Sequence, residues 1–231
     1  MAKILMVLTG ADFWTLKDGT KHPTGFWAEE AVVPYRALKA AGHEVAVATP
    51  GGVLPTADAG SLAAQFTGGE DGAVRMADAV AAMAELRTPS ALADVSADDY
   101  DAVIYPGGHG PMEDLAVDAD SGRLLVAALA SGRPLAVVCH GPAALLAARN
   151  ADGTSAFAGY RIAAFTNEEE VQGGLADKAK WLLEDRLVAD GVVVDKAAPW
   201  TPHVVVDRNL ITGQNPMSSA PLAAELLKAL G

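Results

Sequence analysis

The chain has 231 residues, a length that suits one large α/β domain better than two small ones. Hydrophobic residues make up 51% of it, enough for a well-buried core. Its 17 basic and 29 acidic residues leave a formal charge of −12, which repels phosphate backbones and anionic lipid and argues against nucleic acid or a membrane surface as a partner.

Residues 3–9 (KILMVLT) read as a buried strand and not as a secretion signal, because no long apolar core or small-residue cleavage site follows. Residues 29–41 read as a helix stopped by Gly42. Residues 44–49 (EVAVAT) are a second strand. The stretch 50–97 is rich in Ala, Gly and Asp, with helical pieces around 78–86, and reads as an insertion between sheet strands. Residues 102–105 (AVIY) form the third strand, 121–130 a helix, 134–138 (PLAVV) the fourth strand and 142–149 another helix. Further on come a strand at 161–165 (RIAAF), a helix at 178–189, a β-pair at 203–206 and 210–212, and a closing helix at 221–230. Continuous apolar strands point to a sheet covered on both faces, and their alternation with helices points to parallel βαβ units. The expected architecture is an α/β three-layer sandwich with a mostly parallel central sheet. No apolar run approaches the roughly 18–20 residues of a membrane helix.

Four segments carry chemistry-bearing residues. In Ala136-Val137-Val138-Cys139-His140-Gly141-Pro142 an apolar strand stops at a cysteine and a helix follows, the strand–turn–helix layout of a nucleophile elbow. A helix N-terminus there is expected to favour the thiolate. A lone cysteine is commonly an inert buried hydrophobe, but the adjacent His140 and the Gly-Pro opening favour a nucleophile. Cys139 is the single cysteine, so no internal disulfide forms and a reducing, cytoplasmic setting is expected. The loop Tyr105-Pro106-Gly107-Gly108-His109-Gly110 brings backbone N–H groups close to a ligand, as an oxyanion hole requires, or is a plain tight turn. In Thr166-Asn167-Glu168-Glu169-Glu170 a carboxylate could orient His140, while Asn167 reads as a helix cap with acids in the first turn. Glu29 and Glu30 start a helix, which the dipole alone explains; a buried Glu30 near the thiol would instead keep its proton and shuttle it. None of the five histidines is spaced as a helical metal pair, so no metal and no cofactor is expected.

Taken together, the segments TGFWAEE (24–30), YPGGHG (105–110), AVVCHGPAALL (136–146), FTNEEE (165–170) and LITGQNPMSSA (210–220) resemble the ThiJ/PfpI superfamily over nearly the whole chain. Within it, the chain is similar to the branch of heat-shock-type chaperones and glyoxalase III enzymes. The resemblance implies the flavodoxin-like fold of class I glutamine amidotransferases. It implies Cys139 as nucleophile, His140 as partner base, Glu170 as the triad acid and Glu30 as a protonated acid against the sulfur. It also implies an oxyanion hole at Gly108 and His140, with His109, Gln214 and Asn215 near the substrate. The activity implied is conversion of methylglyoxal to D-lactate without glutathione, on a small reactive aldehyde, in a homodimer. A holding chaperone, a protein deglycase and a related cysteine hydrolase or hydratase are the alternatives. Glutamine hydrolysis is disfavoured, because no acid stands two residues after His203.

Overall fold

The computed structural model describes Met1–Gly231. Its centre is a seven-stranded sheet. The strands are β1 (Lys3–Val7), β2 (Glu44–Thr49), β3 (Ser90–Ala91), β4 (Ala102–Tyr105), β5 (Leu135–Val138), β6 (Val204–Asp207) and β7 (Leu210–Gly213). Their spatial order is β6-β7-β5-β4-β1-β2-β3. All neighbours run parallel except the β6–β7 pair, which closes one edge as a hairpin.

The apolar runs explain the sheet. Ile4 to Leu8 and Leu135 to Val138 have no exposed surface, so both faces of these strands are covered. The register Leu5↔Ala46 and Leu5↔Val103 sets β1 between β2 and β4. On one face pack helices α1 (Ala28–Ala40), α2 (Glu70–Ala82) and the C-terminal α6 (Ser219–Leu230); on the other lie α3 (Ala119–Ser131) and the tight turn Gly141–Ala147. The shorter α4 (Asn167–Gln172) and α5 (Leu183–Ala189) follow β5 and precede β6 in the chain. The result is the three-layer α/β sandwich expected from the sequence. Asp118 caps α3 by accepting from the Ser121 N–H at 2.7 Å, and Gly132 ends it at φ 72°. No helix is long and apolar enough to cross a membrane.

Three elements depart from the expected pattern. The predicted strand at 161–165 pairs only over Arg161–Ile162, in a small separate sheet with Val193–Val194. Beyond Ile162 the backbone is claimed elsewhere: the Ala163 N–H donates to Thr212 Oγ1 at 2.8 Å and the Phe165 N–H to the Cys139 carbonyl at 2.9 Å. The predicted helix at 178–189 starts only at Leu183, because Leu182 is extended (φ −101°, ψ 140°) and Lys178 closes a turn on Leu175. The predicted helix at 142–149 is instead a 3-10 helix, Gly141–Ala147. Parallel strands β1, β4 and β5 all present their C-terminal ends at one edge of the sheet, where open α/β sheets place their ligands.

Candidate active site

Strand β5 stops at Val138 and Cys139 takes φ 61°, a left-handed conformation that costs a non-glycine residue about 1–2 kcal/mol. Two backbone bonds hold it there: its N–H donates to the Gly213 carbonyl and its carbonyl accepts from Phe165, each at 2.9 Å. The Pro106–Gly108 loop packs against this elbow. A Cβ on Gly107 would fall 2.6 Å from the His140 nitrogen and 2.8 Å from the Val138 carbonyl, so only glycine lets the two turns meet.

The structure brings Cys139, His140 and Glu170 together. His140 Nδ1 lies 3.4 Å from the Cys139 sulfur, and its Nε2 lies 2.7 Å from Glu170 Oε2. Among the three candidate acids, Glu170 alone reaches His140: Glu168 is exposed and holds Gln172, and Glu169 points beneath the site. The cap of α4 is Thr166 and not Asn167. Thr166 accepts from the Glu169 N–H while Glu169 reaches back to Thr166, a complete capping box. Glu170 therefore arrives on a locked first helical turn.

One neighbour was not legible from spacing. His109 Nε2 donates to the second Glu170 oxygen at 3.0 Å, and its ring stacks on Trp14 at 4.8 Å. Burial opposes ionisation of Glu170, but His140 and His109 outweigh it and hold the carboxyl well below the usual carboxylate range. Burial and the neighbouring His109 push His140 down, so the imidazole rests neutral. The consistent resting form is a Glu170 carboxylate accepting one N–H from each ring.

Glu30 is fully buried, and burial pushes its carboxyl up to about 8. Its Oε2 accepts from the Gly107 N–H at 2.6 Å, while Oε1 is buried with no partner. The Cys139 thiol is close enough to bias this carboxyl, short of a well-formed hydrogen bond. A proton on Glu30 removes a costly buried charge and supplies a donor. The Cys139 thiol is itself pushed up, by burial first and then by Glu30, with the Gly108 N–H working in the opposite direction. This reverses the direction that a helix N-terminus alone predicts. The following turn is 3-10, its dipole is short, and desolvation of the sulfur wins. The resting pair is a neutral thiol beside a neutral acid.

Gly108 and His109 sit at the site, with Gly108 at φ 87° so that its N–H faces the sulfur. Gln214 and Asn215 lie deeper. Both are fully buried and donate to Glu169 Oε1, at 3.1 Å and 2.8 Å. The Trp200 N–H adds a third bond to that oxygen at 3.0 Å, and Thr166 donates twice to Oε2, at 2.9 Å and 2.8 Å. Glu169 thus ties α4, the 197–203 loop and the end of β7 together beneath the triad. Glu169→Ala strands these donors in the interior and is expected to cost about 3–5 kcal/mol, or a fall in Tm of about 10 °C. Calorimetry checks this; a change within about 0.5 kcal/mol would show that the network contributes nothing.

The sulfur opens into a cavity of about 650 Å³. Its walls include Trp27, Phe66, Phe165 and Trp200, with Lys178 and the acids Glu29 and Asp58 among them. Asp58, Gln65 and Phe66 come from residues 50–97, a stretch that walls the site and also supplies the edge strand β3 of the sheet; Phe66 meets Trp27 edge-on at 5.2 Å. Residues 23–229 match the DJ-1/PfpI family. The chain belongs to the DJ-1/PfpI family. Over 99% of its length, this DJ-1/PfpI chain is 33% identical to the protein/nucleic acid deglycase HchA of Pseudomonas aeruginosa, spanning 80% of that protein. Among solved structures it resembles the Rapid Encystment Protein 24 KDa of Francisella tularensis, with a TM-score of 0.87, 29% identity and complete coverage of both chains. It also resembles glyoxalase III from Candida albicans, with a TM-score of 0.85 and 26% identity over 98% of this chain and 96% of that one.

Proposed function

We propose that the chain is a glutathione-independent glyoxalase that converts methylglyoxal to D-lactate on Cys139. The observation that carries this reading is geometric: His140 Nδ1 lies 3.4 Å from the Cys139 sulfur, and Glu30, fully buried beside that thiol, is held by the Gly107 N–H, with burial pushing both acids toward their protonated forms. As the sulfur attacks the aldehyde carbon, an S–C bond forms and the thiol proton passes to His140. The aldehyde oxygen takes up a proton, giving a hemithioacetal. A base then removes the proton from C1 and returns one to C2 through an enediol, leaving a lactyl thioester on Cys139. Water cleaves the thioester to lactate and the free thiol, so no oxidant, reductant or second thiol is consumed. The Gly108 N–H and a protonated Glu30 stabilise the oxygen and sulfur charges that develop. The glyoxalase III relative supports this reading.

A second reading, protein deglycation, draws on a different observation. A cavity of about 650 Å³ has room for methylglyoxal still attached to a thiol or amine, and the HchA relative is named a deglycase. Both readings begin at the same sulfur. The test incubates the protein with methylglyoxal, without glutathione, and measures D-lactate enzymatically. Steady D-lactate release supports the glyoxalase. Release only from preformed adducts of N-acetylcysteine or arginine moves the assignment to the deglycase, and release from neither defeats both.

A further inference from the structure

The spacing of histidines along the chain predicts no metal site, yet the fold gathers one candidate set. The ligating atoms of His109, His140 and Glu170 all lie within 4.8 Å of one another. Each imidazole already aims its Nε2 at a different oxygen of the same carboxylate, at 3.0 Å and 2.7 Å. A tetrahedral ion with bonds of about 2.0–2.1 Å holds its ligand atoms roughly 3.3–3.4 Å apart. The two nitrogen–oxygen contacts fall just inside that spacing and no pair of ligand atoms exceeds 4.8 Å, so side-chain rotations of a fraction of an ångström to about 1.5 Å would bring the three onto one ion.

We propose that His109, His140 and Glu170 form an inhibitory site for a divalent ion of the Zn²⁺ class, open to the active-site cavity. Two imidazole nitrogens and one carboxylate oxygen suit borderline ions such as Zn²⁺ and Co²⁺, whereas Mg²⁺ and Ca²⁺ ask for oxygen ligands alone. The ring of His109 is fixed from behind by its stack on Trp14, and that of His140 by Phe165 at 4.3 Å. All three residues line the cavity, which gives an ion its route in and leaves room for water in the fourth position. Cys139 is not a ligand in this arrangement, because its sulfur faces Nδ1 of His140 while the ion takes Nε2.

Capture of the ion has a chemical consequence. When the His140 Nε2 lone pair is given to the metal, the ring keeps its proton on Nδ1, the nitrogen that faces the sulfur. The imidazole then cannot take the thiol proton, and the metal-bound form is inactive. This consequence rests on the reading of His140 as the base; the binding itself does not.

The test measures metal and not turnover. Zn²⁺ is titrated into the full chain and into Cys139→Ala against a chromophoric chelator, with Mg²⁺ as control. Both proteins are expected to bind one equivalent of Zn²⁺ with similar affinity. His109→Gln, His109→Ala and Glu170→Gln are expected to weaken it by at least about 100-fold, with folding followed by circular dichroism. The Co²⁺ form of the wild type is expected to show ligand-field bands without a thiolate-to-cobalt band. Absence of saturable binding, undiminished affinity in a folded His109 variant, or loss of binding in Cys139→Ala overturns the proposal. If the wild type makes no D-lactate, these outcomes keep their meaning, since none of them reads activity.

Discussion

Cys139→Ala is expected to lower D-lactate formation by at least about 10⁴-fold, to the solution background. The size follows from what the alanine removes. Without the sulfur no hemithioacetal forms, and the donors at Gly108 and Glu30 are left facing a substrate to which nothing is attached. The fold is expected to tolerate the change. Alanine at φ 61° bears the same strain as cysteine, and the backbone bonds to Gly213 and Phe165 do not involve the side chain. The stability change should stay within about 1 kcal/mol, a Tm shift of roughly 2–4 °C. Activity and melting are measured on the same preparation. Residual turnover above about 1% would place the chemistry on another group. The same variant separates enzyme from chaperone: suppression of aggregation that survives the loss of the thiol belongs to a surface and not to this site.

The parts of the site that could be read from the chain are the local ones. An apolar strand ending in Cys139-His140-Gly141-Pro142 announces its own turn, because strand, elbow and helix start are consecutive. The sheet strands were legible for the same reason: runs such as Ile4–Leu8 are buried on both faces, and continuous hydrophobicity records that. What could not be read is whatever depends on chain-distant partners. His109 and Glu170 stand 61 residues apart and meet only because β4 and α4 converge at one sheet edge. Gln214 and Asn215, placed near the substrate by resemblance, hold Glu169 from below, since a carboxylate taking five bonds draws in every donor within reach. The segment after Ile162 has a strand's composition but spends its N–H groups on Thr212 and Cys139, and composition carries no record of that. The thiol shifts upward and not downward, which a sequence does not show because it displays the helix start and conceals the burial of the sulfur.

Glu30→Gln is expected to cut turnover by about 10²–10⁴-fold, the range a positioned general acid contributes. Gln is nearly isosteric with the protonated acid and can still accept from the Gly107 N–H, so the pocket keeps its shape and loses only its transferable proton. The stability signature is opposite in sign to that of an ordinary surface carboxylate. Glu30 moves from 4.5 to about 8 on folding. Below 4.5 the carboxyl holds its proton in both states and contributes no pH dependence. Between 4.5 and about 8 the unfolded chain releases the proton while the folded chain keeps it, so folding grows less favourable as pH rises. Above about 8 both states are ionised and the decline ends. A displacement of that size is worth on the order of 4–5 kcal/mol across the window. Glu30→Gln removes this term while leaving the other carboxylates in place. Urea unfolding of both proteins at pH 5 and pH 8 isolates it: similar stabilities are expected at pH 5, and a variant more stable than wild type by several kcal/mol at pH 8. Parallel curves across the two pH values would mean that Glu30 is ionised in the folded protein, and its role as the proton donor beside Cys139 would fall with that result.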